Sequence, residues 1–217
     1  MINILLSSNE VQIRNIYDVI EHIKVRPALY IRENKISNLQ CYLDGYQAAL
    51  IHNAINHESI FPQFWYFHEW TMQKYNWSSS VAGWTNILLK ENNNNEEKAL
   101  QVFFELCDEF KTLHPISIQK IKLTKKNMDF YHTKCQTFDG KMNQIYENAN
   151  ELLLVKFSHN FGFSYFMLNE NKIEGSSWTK RFENEKLAKT HIENLFDAQN
   201  SWEALSGDLK LILEQTM

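Results

Sequence analysis

Isoleucines at positions 13, 16, 20 and 23 recur at three- and four-residue steps, which is the apolar stripe of an amphipathic helix. Ser7 or Ser8 is the expected cap, and Pro27 ends the helix because the residue before a proline is pushed out of the helical region. A second helix is expected from a cap at Ser37, with Leu39, Tyr42, Leu43, Tyr46 and Leu50 inward and Gly45 in its middle. That glycine costs roughly 1 kcal/mol against alanine and points either to close backbone packing or to nothing. Phe61-Pro62 suits the first turn of a third helix, running to about Tyr75. After the break at Ser78-Ser79-Ser80, a short helix is predicted from Val81 to Lys90. The asparagine run 92–95 reads as a loop whose last member caps a further helix, with Glu96 and Glu97 in the first turn and Leu100, Phe103, Leu106, Cys107 and Phe110 inward.

Beyond Leu113-His114-Pro115 the apolar runs shorten and fill with β-branched and aromatic residues, the pattern of strands. Ser117–Thr124 is ambiguous, since its alternation changes phase at Lys120-Ile121. Glu151–Ser158 and Phe163–Leu168 read as adjacent strands joined around His159-Asn160-Phe161-Gly162, where asparagine and glycine supply positive φ. A third strand over about Lys172–Lys180 completes an antiparallel meander. Helices over Glu183 to about Phe196 and Ser201 to about Glu214 follow, the second open to interruption at Gly207. The expected fold class is α+β: a helical N-terminal half packed against a small antiparallel sheet with C-terminal helices. At 217 residues the chain reads as one compact domain, or as two subdomains divided at 1–115 and 116–217.

Composition refines this picture only a little. Hydrophobic residues make up 44% and charged residues 22%, which excludes a disordered or fibrous chain. Six glycines and three prolines are too few for a barrel or sandwich with many tight turns. The net charge of −4 lies wholly in the first half: residues 1–115 carry 13 acidic and 9 basic side chains, and residues 116–217 carry 13 of each. An acidic face of that kind can steer a basic partner, although it also serves solubility. The three cysteines, Cys41, Cys107 and Cys135, are odd in number and far apart, so no disulfide framework is expected. Cys41 and Cys107 fall on apolar helical faces and are expected to be buried. Without a signal peptide or a membrane-spanning run, the expected location is the reducing cytoplasm.

The candidate chemistry is sparse. His52 and His57 are five apart, which does not put two ligands on one helical face, and His132 with Cys135 has no second pair to complete a tetrahedral metal site. No metal and no cofactor are therefore expected, and no glycine-rich phosphate loop occurs. His68-Glu69 between Trp65 and Trp70 could form an acid and base in a cleft, but adjacent helical residues point about 100° apart. Cys135 with His132 as nucleophile and base is equally awkward if both sit on one strand, and open if they sit in a loop. A small enzyme using either pair is the alternative function. Lys120, Lys122, Lys125 and Lys126, near Phe130 and Tyr131, could touch nucleic acid, or simply protect a strand edge. Finally, Phe64-Trp65-Tyr66-Phe67-His68-Glu69-Trp70 places six ring-bearing side chains, counting His68, in seven positions. One helical stripe spans little more than about 100°, so these rings either fill a second buried face or leave anchors for a partner.

The segment Arg26-Pro27-Ala28-Leu29-Tyr30-Ile31, the helix with Tyr42-Leu43-Asp44-Gly45-Tyr46, the aromatic heptapeptide 64–70, Gly83-Trp84 and the stripe from Ala99 to Phe110 together resemble immunity proteins encoded beside bacterial polymorphic or contact-dependent toxins. The resemblance covers about residues 20–112 and none of the C-terminal half. It implies stoichiometric neutralisation of a cognate toxin C-terminal domain, often a nuclease, with no catalysis and no direct contact to nucleic acid or membrane. On that reading Trp65 and Tyr66 are the expected anchors of the contact surface, with Glu69, Asp108 and Glu109 supplying its charge.

Overall fold

Asn15 opens the first helix. Its side-chain oxygen accepts from the backbone N–H of Tyr17 at 2.9 Å and of Asp18 at 3.3 Å, satisfying donors that the first turn leaves without partners. The computed structural model describes residues 13–55, 60–77, 81, 83–134, 149–176, 182–198 and 202–216. The caps expected at Ser7 or Ser8 thus lie outside the described residues. The chain divides into two compact units, Met1–Ser59 with Leu88–Phe104, and Ile60–Ile87 with Glu105–Met217.

In the first unit, α1 (Ile16–Val25) buries Tyr17, Val19, Ile20 and Ile23, while Ile13 stays exposed ahead of the cap. Pro27 does not merely end α1. It occupies the first turn of α2 (Pro27–Ile31), where its missing N–H removes nothing. In α3 (Ile36–His52) Leu39 and Leu43 are buried, as expected, together with Ile36, while Tyr42, Tyr46 and Leu50 are half-buried. The cap is Lys35, two residues earlier than predicted; Ser37 instead gives its N–H and its hydroxyl to the two carboxylate oxygens of Glu96, each at 3.1 Å. Cys41 corrects the sequence expectation. It is exposed, because two residues from Leu39 is about 200° around the helix, opposite the buried stripe. The loop after α5 (Gly83–Glu91) follows the predicted asparagine pattern. Asn93 and Asn94 take positive φ of 55° and 58°, and Asn95 caps α6 (Glu96–Lys111) by accepting from Lys98 N at 2.9 Å.

The second unit holds the sheet. Five strands, β1 (Pro115–Lys122), β2 (Glu151–Phe157), β3 (Gly162–Asn169), β4 (Lys172–Ser176) and β5 (Glu203–Ala204), lie in the order β4-β3-β2-β1-β5, all antiparallel. The α+β class is therefore observed, and the ambiguous Ser117–Thr124 segment is mostly strand. Register explains the near-continuous apolar runs Leu152–Val155 and Phe163–Leu168. Leu152 opposes Ile121 and Met167, and Leu154 opposes Tyr165; this face packs under α7 (Lys125–Lys134) and α8 (Glu185–Phe196) with Met128, Ala188, Ile192 and Phe196. The other face carries Leu153, Val155, Phe157, Phe166 and Leu168, also buried. There Phe157 stacks on Phe61 at 5.6 Å and meets Phe161 edge-on at 5.8 Å. A sheet covered on both sides loses the hydrophobic-polar alternation of a half-exposed one.

Two C-terminal expectations change. Asn184 caps α8, accepting from Leu187 N at 3.0 Å, so the helix begins two residues later than predicted. The predicted helix from Ser201 splits: Glu203 and Ala204 pair with Lys120 and Gln119 as β5, Gly207 turns the chain with φ of 114°, and α9 covers only Leu209–Thr216. Pro62 also stands before its helix, not in its first turn. The Phe61–Pro62 peptide is cis, and a 3-10 turn at Phe64–Tyr66 leads into α4 (Phe67–Lys74).

Candidate partner-binding surface

The aromatic heptapeptide divides by face. Phe64, Phe67 and Trp70 recur at three-residue steps and are buried. Phe67 is their hub, with ring centroids 5.4 Å from Phe64, 5.9 Å from Trp70, 5.8 Å from Trp84 and 5.5 Å from Phe110. Those rings take the core side of the turn and helix, so the residues between them must face elsewhere. Trp65 is 68% exposed. Its indole N–H donates to the Gln63 side-chain oxygen, and its ring lies 5.4 Å from Tyr66, tilted by 45°. Glu69 follows Trp65 by four residues, about one helical turn, and is half-buried, as are Tyr66 and His68.

The remaining expected contact residues, Asp108 and Glu109, are consecutive on α6 and both are already paired. Asp108 meets Lys111 at 2.7 Å within the helix, and Glu109 accepts from Lys74 at the end of α4 at 2.7 Å. Lys74 also sits 5.4 Å above the Trp70 ring, which adds a cation–π attraction to the ion pair. Trp65 and Lys74 are nine positions apart, on the order of 13 Å of helical rise and about half a turn around the axis. The Lys74–Glu109 pair therefore points away from Trp65, and the five expected residues do not share one helical face.

Beside that ion pair lies an open recess of ≈ 230 Å³, lined by Trp70, Gln73, Lys74, Glu109, His159 and Asn160 among others. His159 and Asn160 form the β2–β3 turn with φ of 56° each, and Gln73 donates to Phe161 O at 3.3 Å. At its margin Thr112 Oγ1 lies 3.0 Å from His159 Nε2, and His114 Nδ1 lies 2.9 Å from Thr112 O. This polar group was not legible in the sequence, because its members come from three segments more than thirty residues apart, with no shared spacing to mark them.

The enzyme candidates are not assembled by the structure. His68 and Glu69 occupy consecutive positions of α4. His132 lies on α7, not on a strand or in a loop, and its ring is 5.8 Å from Tyr131; Cys135 and His57 lie outside the described residues. Among the described residues no group of three or more His, Cys, Asp or Glu is placed to hold a metal ion. The lysine run is largely neutralised. Lys120 pairs with Glu151 at 3.2 Å, Lys125 with Asp129 at 3.0 Å and Lys126 with Asp197 at 3.7 Å. Nor does it mark an outer edge, since β5 pairs with β1 at Gln119 and Lys120. No helix of the described residues is long and apolar enough to cross a membrane.

Fold and site together define an α+β protein with an exposed tryptophan at Trp65 and, elsewhere on the same unit, ion-paired carboxylates at Asp108 and Glu109. No protein-family model, no curated protein and no solved structure matches the chain.

Proposed function

We propose that this chain is a cytoplasmic immunity protein that binds a cognate bacterial toxin domain stoichiometrically and neutralises it. The observation that carries the reading is Trp65. A tryptophan with 68% of its surface exposed, held by Gln63 and flanked by Tyr66, is a rigid amphipathic anchor of the kind that dominates interface energetics. The resemblance of residues 20–112 to immunity proteins supplies the class of partner. A nuclease toxin carries a basic substrate route, and Glu69, half-buried one turn from Trp65, is the carboxylate that this reading assigns to it. Asp108 and Glu109 are rim residues on this reading, because Lys111 and Lys74 already compensate them.

The test is titration of the toxin domain encoded by the neighbouring reading frame against the wild-type chain and a Trp65→Ala, Glu69→Ala variant. The double variant should bind more weakly by more than about 2 kcal/mol, whereas Glu109→Gln should cost less than about 1 kcal/mol. An unchanged dissociation constant for a folded double variant sinks the assignment of this surface.

A further inference from the structure

The segment that opens the resemblance, Arg26 to Arg32, belongs to the first unit, whereas Trp65 belongs to the second. It forms the corner between α1 and α2, and it is built to present side chains outward. Its backbone is satisfied internally: Arg26 N donates to His22 O at 3.1 Å, Leu29 N to Arg26 O at 3.1 Å, and Glu33 N to Ile31 O at 2.6 Å. Inward, only Ile31 is buried. Outward stand Val25, 74% exposed, and Leu29, 70% exposed, with Arg26 and Arg32 exposed on either side of Leu29. Neither guanidinium has an ion pair among the described residues, and Glu33, next to Arg32, is held by Lys35.

Arg32 carries a second signal. Its φ of 57° and ψ of −61°, closed by the Glu33-to-Ile31 bond, make a γ-turn of the strained hand, rare for a residue with a side chain. Glycine would take this conformation without cost. Strained positions persist where the surroundings fix them and cluster at binding sites, and here the strained residue is an exposed cation.

We propose that the α1–α2 corner is a docking surface for an acidic segment of a partner protein, with carboxylates on the two arginines and an aliphatic side chain against Val25 and Leu29. The arginine fork matches carboxylates in bidentate geometry, and a corner whose backbone is already hydrogen-bonded loses little conformational freedom on binding. A lipid surface fits less well, because interfacial helices lay down a long apolar face whereas α2 has five residues. Nucleic acid fits less well too, since two guanidiniums neutralise too few phosphates for stable binding. The inference does not rest on the toxin-binding reading, which uses other residues of the other unit.

The test is selection of random dodecapeptides displayed on phage against the full chain, then fluorescence anisotropy with the recovered peptides and their Asn/Gln counterparts. Phosphatidylserine vesicles and an oligodeoxythymidine serve as parallel probes. Recovered peptides should combine Asp or Glu with Leu, Ile or Val. Their affinity should fall at least about tenfold on the Arg26→Gln, Arg32→Gln variant and on amidation of the peptide acids. Arg32→Gly should weaken binding while raising the melting temperature, an opposition that a folding defect cannot produce. Equal binding to wild type and the double variant, equal binding of amide counterparts, or binding of vesicles or oligonucleotide in preference to acidic peptides overturns the proposal.

Discussion

Gly45 sits within α3 with nothing inside 4 Å of where a Cβ would stand. Of the two meanings its sequence position allowed, close backbone packing is thereby removed. Gly45→Ala should stabilise the protein by up to about 1 kcal/mol, since alanine lowers the entropy lost on forming the helix; chemical denaturation measures it directly. Glu185 makes a different residue-scale case. Lys189 at 2.7 Å and the Gln119 amide at 2.9 Å hold its carboxyl below the usual carboxylate range, the hydrogen bond from Lys189 being the larger cause. A carboxyl with a lowered folded pKa contributes stability that is present above its unfolded pKa and lost as pH falls through the folded one. With the side chain 44% exposed, that contribution is small, a few tenths of a kcal/mol at most. Glu185→Gln should therefore unfold slightly more easily at neutral pH and match the wild type in acid below the folded pKa. A difference that persists unchanged into acid would mean that packing, not charge, explains it.

At the scale of elements, sequence legibility follows how local the determining physics is. Helix stripes, the asparagine loop before α6 and the β2–β3 turn depend on neighbours a few residues away, and their pattern is visible in the chain. The structure departs from the sequence pattern where distant partners intervene. Ser37 has the chemistry of a cap but is claimed by Glu96, fifty-nine residues away. Glu203-Ala204 has no strong strand signal and becomes a strand because β1 offers an edge, with Leu205 N just beyond it donating to Ile118 O at 2.9 Å. The β2–β3 turn depends on such a distant partner as well as on its own sequence. Gly162 has φ of 86°, and a Cβ there would stand 2.5 Å from Phe182 O, the same oxygen that accepts from Phe163 N at 2.8 Å. Backbone cannot yield as a flexible side chain can, so Gly162→Ala should destabilise by about 2 kcal/mol or more, combining strain with the displaced bridge. Thermal unfolding shows it, and a loss under about 0.5 kcal/mol would mean that the bridge to Phe182 shifts freely.

For the whole molecule, the aromatic block set the central question, and its answer lies between the two sequence readings. Phe64, Phe67 and Trp70 are core, while Trp65 is not. Periodicity required some rings to leave the stripe, and the three-residue steps of Phe64, Phe67 and Trp70 leave Trp65 on the opposite side; that these three rather than another set form the core is decided by their packing against Trp84 and Phe110. Asp108 and Glu109 are half-buried and already paired, with Lys111 one turn away and with Lys74 far along the chain. On the proposed function, recognition centres on exposed Trp65, with Glu69 one turn away. Its most direct test is the dissociation constant for the toxin domain of the neighbouring reading frame, measured by calorimetry with the wild type and the Trp65→Ala, Glu69→Ala variant. The account predicts one-to-one binding that weakens at least about 30-fold in a variant with unaltered circular dichroism. Equal affinity in the two proteins, or no binding by the wild type, would contradict it.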